Sequence, residues 1–214
     1  MDKENNKEEY FEKYIPSNKQ GWLKSTLETI EYMIAIILIV VFIRYVFISP
    51  FAVEGSSMEP TLHDKELIIV NKIGYANWFG ITFGEPERGD IVVIHPPNDP
   101  KKYYIKRIIG LPGETLYFHN GDILVENNEN PNGIKISEEY LSESNISTTP
   151  PNGLRNTKVT IPERNYYVLG DNRGASSDSR SFGPVHRQNI VGKTEIVIFP
   201  LPDIRTVEDI EYSL

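Results

Sequence analysis

The stretch Tyr103-Tyr-Ile-Lys-Arg-Ile-Ile-Gly-Leu-Pro-Gly-Glu114 decides the fold class. Its first seven residues hold two tyrosines and three isoleucines, side chains that suit a pleated, half-buried surface. Gly-Leu-Pro-Gly-Glu then ends any regular element. As a strand, the segment places Tyr104, Lys106 and Ile108 on one face and Ile105, Arg107 and Ile109 on the other. Similar text recurs on both sides: Glu66–Val70 (ELIIV), Asp90–Ile94 (DIVVI), Thr115–Phe118, Asp122–Val125, Tyr166–Leu169 and Glu195–Phe199 (EIVIF). Arg-Gly-Asp, His-Asn-Gly-Asp and Leu-Gly-Asp-Asn turns separate the runs. No long helical period follows Pro50. The pattern predicts a mostly β domain of antiparallel sheets over 50–214. Within it, residues 127–157 are polar and turn-rich and read as a surface insertion.

Upstream, the text changes character. Tyr32–Ile43 (YMIAIILIVVFI) carries no charge, and after Arg44 the apolar sequence resumes to Val53. The uncharged part falls short of the roughly 20 residues that a bilayer requires. The whole window is long enough, and a lone arginine near a helix end snorkels to the interface. A buried core helix is the alternative, but the run has no polar face. A cleaved signal peptide is another, but 31 residues precede the run and no Ala-x-Ala follows it. The reading is one transmembrane signal-anchor helix over 27–49, preceded by a tail over 1–26. Lys3, Lys7, Lys13, Lys19 and Lys24 lie before the run, and the first basic residue after Val53 is Lys65. The positive-inside rule therefore puts the N-terminus in the cytoplasm and the β domain outside a cell membrane, as a single-pass protein.

The chain has 214 residues, a net charge of −8 and no cysteine. The absence of cysteine excludes disulfides, thiolate nucleophiles and cysteine-ligated metals. The acidic balance argues against a nucleic-acid partner. The lipid bilayer is the partner that the apolar run implies. The four histidines, His63, His95, His119 and His186, show no metal-ligand spacing, and no Gly-x-Ser-x-Gly is present. No metal or cofactor is expected.

Three segments stand out: Val53-Glu-Gly-Ser-Ser-Met-Glu-Pro-Thr-Leu62, Tyr104–Gly113, and Gly170-Asp-Asn-Arg-Gly-Ala-Ser-Ser-Asp-Ser-Arg180. Each reads blandly as a turn, a strand with a solvated Lys-Arg pair, or a polar loop. The strand alternation, however, leaves Lys106 among apolar neighbours, where burial disfavours the ammonium. An ordinary lysine, with a pKa near 10.4, is about a thousandfold too protonated to act as a base near neutrality. Lowering it by roughly two to three units costs about 3–4 kcal/mol. A lysine so discharged can take the proton of a serine hydroxyl.

In order along the chain, the apolar run, Gly55–Leu62 (GSSMEPTL), Arg88–Val93 (RGDIVV), Tyr104–Glu114 (YIKRIIGLPGE) and Gly170–Arg180 (GDNRGASSDSR) resemble type I signal peptidase, in its Gram-positive form. The resemblance implies a membrane-bound serine endopeptidase that removes signal peptides from exported preproteins after small residues at −1 and −3. It casts Ser57 as nucleophile, Lys106 as general base and Ser176 as the serine that orients the lysine. It pairs Asp171 and Asp178 with Arg107 and Arg180 as supporting residues. It also assigns the Ser57 backbone N–H to an oxyanion hole, with Gly55 standing where the Gram-negative form has a second donor. By position, Val53, Met58, Leu62, Tyr104 and Ile105 would line the −1 side of the substrate site, and Phe51, Ile68, Val93 and Ile105 the −3 side. For these apolar residues ordinary core is the alternative. The resemblance places the enzyme near the export translocon. Ser49 and Ser57 are eight residues apart, at most about 28 Å of extended chain, which keeps the nucleophile near the membrane surface. Trp78 and Phe79 are candidates for lipid contact, with core packing as the alternative. Competing functions are a self-cleaving Ser-Lys peptidase and a membrane-tethered binding domain without chemistry.

Overall fold

The computed structural model describes residues 19–75, 77–78, 81–82, 84–142, 148–151, 157–207, 210 and 212. Two units are recognised from their internal packing, 1–45 and 46–214. The first holds most of helix α1, Lys19–Val46. Its segment Lys24–Arg44, 21 residues, is the one described helix long and apolar enough to cross a membrane. Among the described residues, none of this window is buried, and its apolar text has no polar face.

The helix was expected over 27–49, but Ile48–Ala52 is strand β1. Its residues pair antiparallel with Leu67–Asn71, strand β2, from Ile48 opposite Asn71 to Ala52 opposite Leu67. Sheet hydrogen bonds claim this backbone before the apolar text runs out. Pro50 is tolerated because β1 lies at a sheet edge, where a missing N–H costs no ladder bond.

Beyond β2 come β3 (Asn77–Trp78), β4 (Ile81–Thr82), β5 (Ile91–Ile94), β6 (Tyr104–Gly110), β7 (Thr115–His119), β8 (Asp122–Glu126) and β9 (Ile134–Lys135). They are followed by β10 (Thr157–Thr160), β11 (Asn165–Leu169), the short helix α2 (Ser179–Phe182), β12 (Val185–His186), β13 (Ile190–Phe199) and β14 (Arg205–Thr206). The larger sheet runs β1-β2-β13-β5-β6-β11-β12, with β14 also on β13, and the smaller runs β10-β7-β8-β9. Every pairing is antiparallel. The mostly β, antiparallel fold read from the sequence is the fold observed. For the lipid-contact candidates, Phe79 lies outside the described residues, and of Trp78 only the backbone is described.

All four residues of β5 are buried. Ile91 and Val93 join a cluster with Val53, Met58, Leu62, Ile68, Val70 and Val197, while Val92 and Ile94 join Ile108, Tyr166, Val168, Val185 and Ile190. Both faces of the larger sheet are thus covered, which explains why this strand reads as an unbroken apolar run. A third cluster lies on the smaller sheet around Leu116, Phe118, Ile123 and Val125.

The 127–157 segment corrects its own reading as surface. Ile136 is 2% exposed and fills the smaller sheet's core, and Thr148 is fully buried. Ile134 and Lys135 extend that sheet as β9. The cause is geometric: β8 would otherwise be an edge, and its turn-rich neighbour covers it.

Candidate active site

Strand β6 does most of the positioning. On one side it pairs with β5 along Tyr104–Arg107. On the other side β11 joins only from Arg107 onward, so Tyr104, Ile105 and Lys106 have no strand partner there. The alternation read from sequence holds: Tyr104 and Ile108 pack into one cluster, whereas Ile105 packs into another.

Lys106 is 3% exposed. Its Nζ lies 2.8 Å from Ser57 Oγ and donates to the Ile105 carbonyl at 2.7 Å. Burial pulls its pKa down from the ordinary value to about 8, opposed by the more distant carboxylates of Asp178 and Asp171. Among the described residues, no carboxylate forms an ion pair with it. An amine that touches a serine hydroxyl and is neutral in a sizeable fraction near pH 8 can act as the base of that serine.

Ser57 sits in the turn after β1. Gly55 enters that turn at φ +84, a left-handed conformation that glycine adopts without strain, and its N–H donates to Asp64 Oδ1 at 2.8 Å. Asn172 holds the turn from the other side. Its N–H donates to the Ser57 carbonyl and its Nδ2 to the Ser56 carbonyl, both at 3.1 Å. The contact is close because residue 170 is glycine: a Cβ there would lie 2.4 Å from the Ser57 carbonyl oxygen and 2.2 Å from Ser176 Oγ.

Ser176 departs from expectation. Its Oγ is buried without a hydrogen-bond partner among the described residues, and the expected bond to Lys106 is not formed. The hydroxyl is packed against Gly170, and the Ile105 carbonyl is the second group on the ammonium.

Asp171 and Asp178 each form an ion pair with an arginine. Asp171, fully buried, accepts from Arg107 Nε at 2.9 Å and Nη2 at 2.7 Å, a bidentate geometry. Asp178 accepts from Arg180 Nε at 2.8 Å and Nη2 at 2.7 Å, and caps α2 through the Arg180 N–H. Asp178 Oδ2 also accepts from the Gly170 N–H.

A groove of about 580 Å³ runs from Ser57 and Lys106 past Val53, Met58, Tyr104, Ile105 and Phe51. Leu62, Ile68 and Val93 do not reach it: each has no exposed surface and belongs to the cluster behind the wall. For these three, the core alternative holds. Residue types alone could not separate them, because wall and core are both apolar. Sequence reasoning missed Pro50, Ala52 and Tyr103, which also line the groove, and Asn172, which seats Ser57. Asn172 was on view within the quoted Gly-Asp-Asn-Arg segment. What it contacts, 115 residues away, was not.

Among known proteins, the family model described as signal peptidase, peptidase S26, matches residues 26–199. A signal peptidase I of Bacillus amyloliquefaciens is 42% identical over 169 residues, 76% of this chain and 80% of the relative. One from Bacillus licheniformis is 36% identical over 190 residues, 86% of this chain and 94% of the relative. A crystal structure of a signal peptidase I from Enterococcus faecalis V583 is 32% identical and covers 51% of this chain and 96% of that one, with a TM-score of 0.42. With 174 residues inside the family match and relatives at this identity over most of their length, the chain belongs to the signal peptidase family, peptidase S26.

Proposed function

We propose that the chain is a membrane-anchored serine endopeptidase that cuts signal peptides from exported preproteins with a Ser57–Lys106 dyad. The observation that carries this reading is the 2.8 Å approach of Lys106 Nζ to Ser57 Oγ in a site where burial lowers the lysine to about pKa 8. Neutral Lys106 removes the Ser57 proton as Oγ attacks the scissile carbonyl. The ammonium so formed donates that proton to the leaving amine. Lys106 then activates the water that releases the acyl-enzyme. The Ser57 N–H takes part in no hydrogen bond among the described residues and supplies an oxyanion donor in this reading.

The substrate enters as an extended strand. β1 is an edge strand, and the Tyr104–Lys106 backbone is open opposite β5, so two backbone ladders flank the groove. Alternate substrate side chains, −1 and −3, then point into the same wall, lined by Phe51, Val53, Met58, Tyr104 and Ile105. The bulk of those five side chains favours small residues at both positions. Helix α1 serves as the single span over Lys24–Arg44, with the N-terminus cytoplasmic and the catalytic unit outside, near the translocon.

The test is cleavage of a preprotein carrying an Ala-x-Ala site by the full chain in vesicles. Wild type cuts once at that site, and Ser57→Ala and Lys106→Ala do not. Activity that survives both substitutions ends the dyad reading. Because the chain has no cysteine, a single cysteine added at position 5 or at 129 reports topology by impermeant thiol labelling of whole cells. Labelling at 129 alone is expected. The reverse pattern overturns the orientation.

A further inference from the structure

We propose that Tyr140, from the 127–157 segment, is a positioning residue for the cleavage reaction: its ring and hydroxyl together hold the two arginines that fix the loop seating Ser57. The proposal rests on the dyad reading and adds to it a part that lies outside every segment carrying the family resemblance.

The 170–178 loop is held by two fully or nearly buried arginines on either side of Asp171. Arg107, 1% exposed, binds Asp171 through two donors and the Gly89 carbonyl through Nη1 at 2.8 Å. Arg173, 3% exposed, donates from Nε to the Gly170 carbonyl at 3.1 Å and from its terminal nitrogens to both oxygens of Glu138 and to Thr148 Oγ1. Between them stands Tyr140. Its ring lies under the Arg107 guanidinium, 4.2 Å from ring centroid to Cζ, and its hydroxyl accepts from Arg173 Nη2 at 3.0 Å. The same hydroxyl donates to Glu138 Oε1 at 2.8 Å and accepts from the Tyr212 hydroxyl at 3.1 Å.

The charges balance locally, with Asp171 against Arg107 and Glu138 against Arg173. Charge pairing alone leaves the flat face of Arg107 to be covered, and a guanidinium out of water is favoured by an aromatic face beneath it. Tyr140 supplies that face while bonding to the second arginine, so movement of one arginine is transmitted to the other. In the loop, Asn172 stands between Asp171, which Arg107 holds, and Arg173, and its two hydrogen bonds hold Ser56 and Ser57. The path from Tyr140 to the nucleophile therefore passes through one arginine, one residue of the loop and one carbonyl contact.

A brace of this kind acts on the chemical step, not on substrate affinity, because Tyr140 does not line the groove. In the full chain, Tyr140→Ala is expected to lower kcat about tenfold with KM within about twofold of wild type. Tyr140→Phe keeps the ring under Arg107 but loses the bond from Arg173, and is expected to restore part of that loss. Glu138→Gln, which weakens the grip on Arg173 without touching the ring, is expected to fall between them. The proposal is overturned if Tyr140→Ala keeps wild-type kcat, or if it raises KM with kcat unchanged. Should Tyr140→Ala fail to fold, Tyr140→Leu and Glu138→Gln carry the same kcat-against-KM comparison. Wild-type cleavage with an inactive Ser57→Ala in the same assay separates failure of this brace from failure of the dyad.

Discussion

Lys106 and Arg107 are adjacent cations on one strand, 3% and 1% exposed, and the two faces of β6 treat them in opposite ways. Arg107 meets a carboxylate at bidentate distance, and the pairing holds it firmly protonated. Lys106 meets a hydroxyl and a carbonyl, its nearest carboxylates act only at a distance, and burial wins. Equal burial therefore yields a structural ion on one face and an easily discharged amine on the other. What differs is whether a counter-charge was placed within reach.

The sharpest way to break the comparison is to remove the reactive face. Ser57→Ala and Lys106→Ala each lower preprotein cleavage by about a thousandfold or more, read in a gel assay. Lys106→Arg does so too, because a guanidinium stays protonated where an amine does not. On the structural face, Asp171→Ala leaves Arg107 buried without its counter-charge and costs about 3–5 kcal/mol. For a chain of this size that lowers the thermal midpoint by roughly 10 °C.

A third test turns the penalty on Lys106 into a gain. With its pKa near 8 in the fold and 10.5 as the ordinary value, wild type carries the full cost of the buried ammonium below about pH 8. Lys106→Met removes that cost and is expected to be more stable near neutrality by up to about 3 kcal/mol. Between the two values the folded lysine has shed its proton while the unfolded one keeps it. Wild-type stability therefore rises relative to the variant, and the advantage closes by about pH 10.5. Chemical denaturation at two pH values checks the sign. Over the same window the cleavage rate of wild type is expected to climb with pH through a midpoint near 8, since the neutral amine is the base in the proposed mechanism. The smallest effect is at the seat of the nucleophile: Asn172→Ala removes the Nδ2 hydrogen bond to the Ser56 carbonyl while the backbone N–H still holds the Ser57 carbonyl, and it lowers kcat by about fivefold, seen in single-turnover kinetics.

The strands were legible where β-branched runs are bounded by turns, as at Asp122–Val125 and Tyr166–Leu169, because local pattern and sheet packing agree there. β1 was not, since Ile48–Ala52 continues the apolar text of the helix and contains a proline. Only its pairing with Leu67–Asn71 makes it a strand. The first half of β13, Ile190–Thr194, was missed for the opposite reason, a glycine and a lysine interrupting a short run. At the site, Lys106 and Arg107 could be assigned to opposite faces from alternation alone. Tyr140 could not be found, because nothing in a polar, turn-rich segment announces which aromatic will lie under an arginine 33 residues earlier.

The discharged amine of Lys106 is also a nucleophile, and it opens onto the groove. Small amine-selective reagents applied near pH 8 should therefore modify Lys106 ahead of the exposed, fully charged lysines such as Lys102 and Lys158, whose acidic neighbours hold their protons more tightly than usual. The buried base doubles as a chemical address, readable by mass spectrometry as one early adduct that a peptide lying in the groove would block.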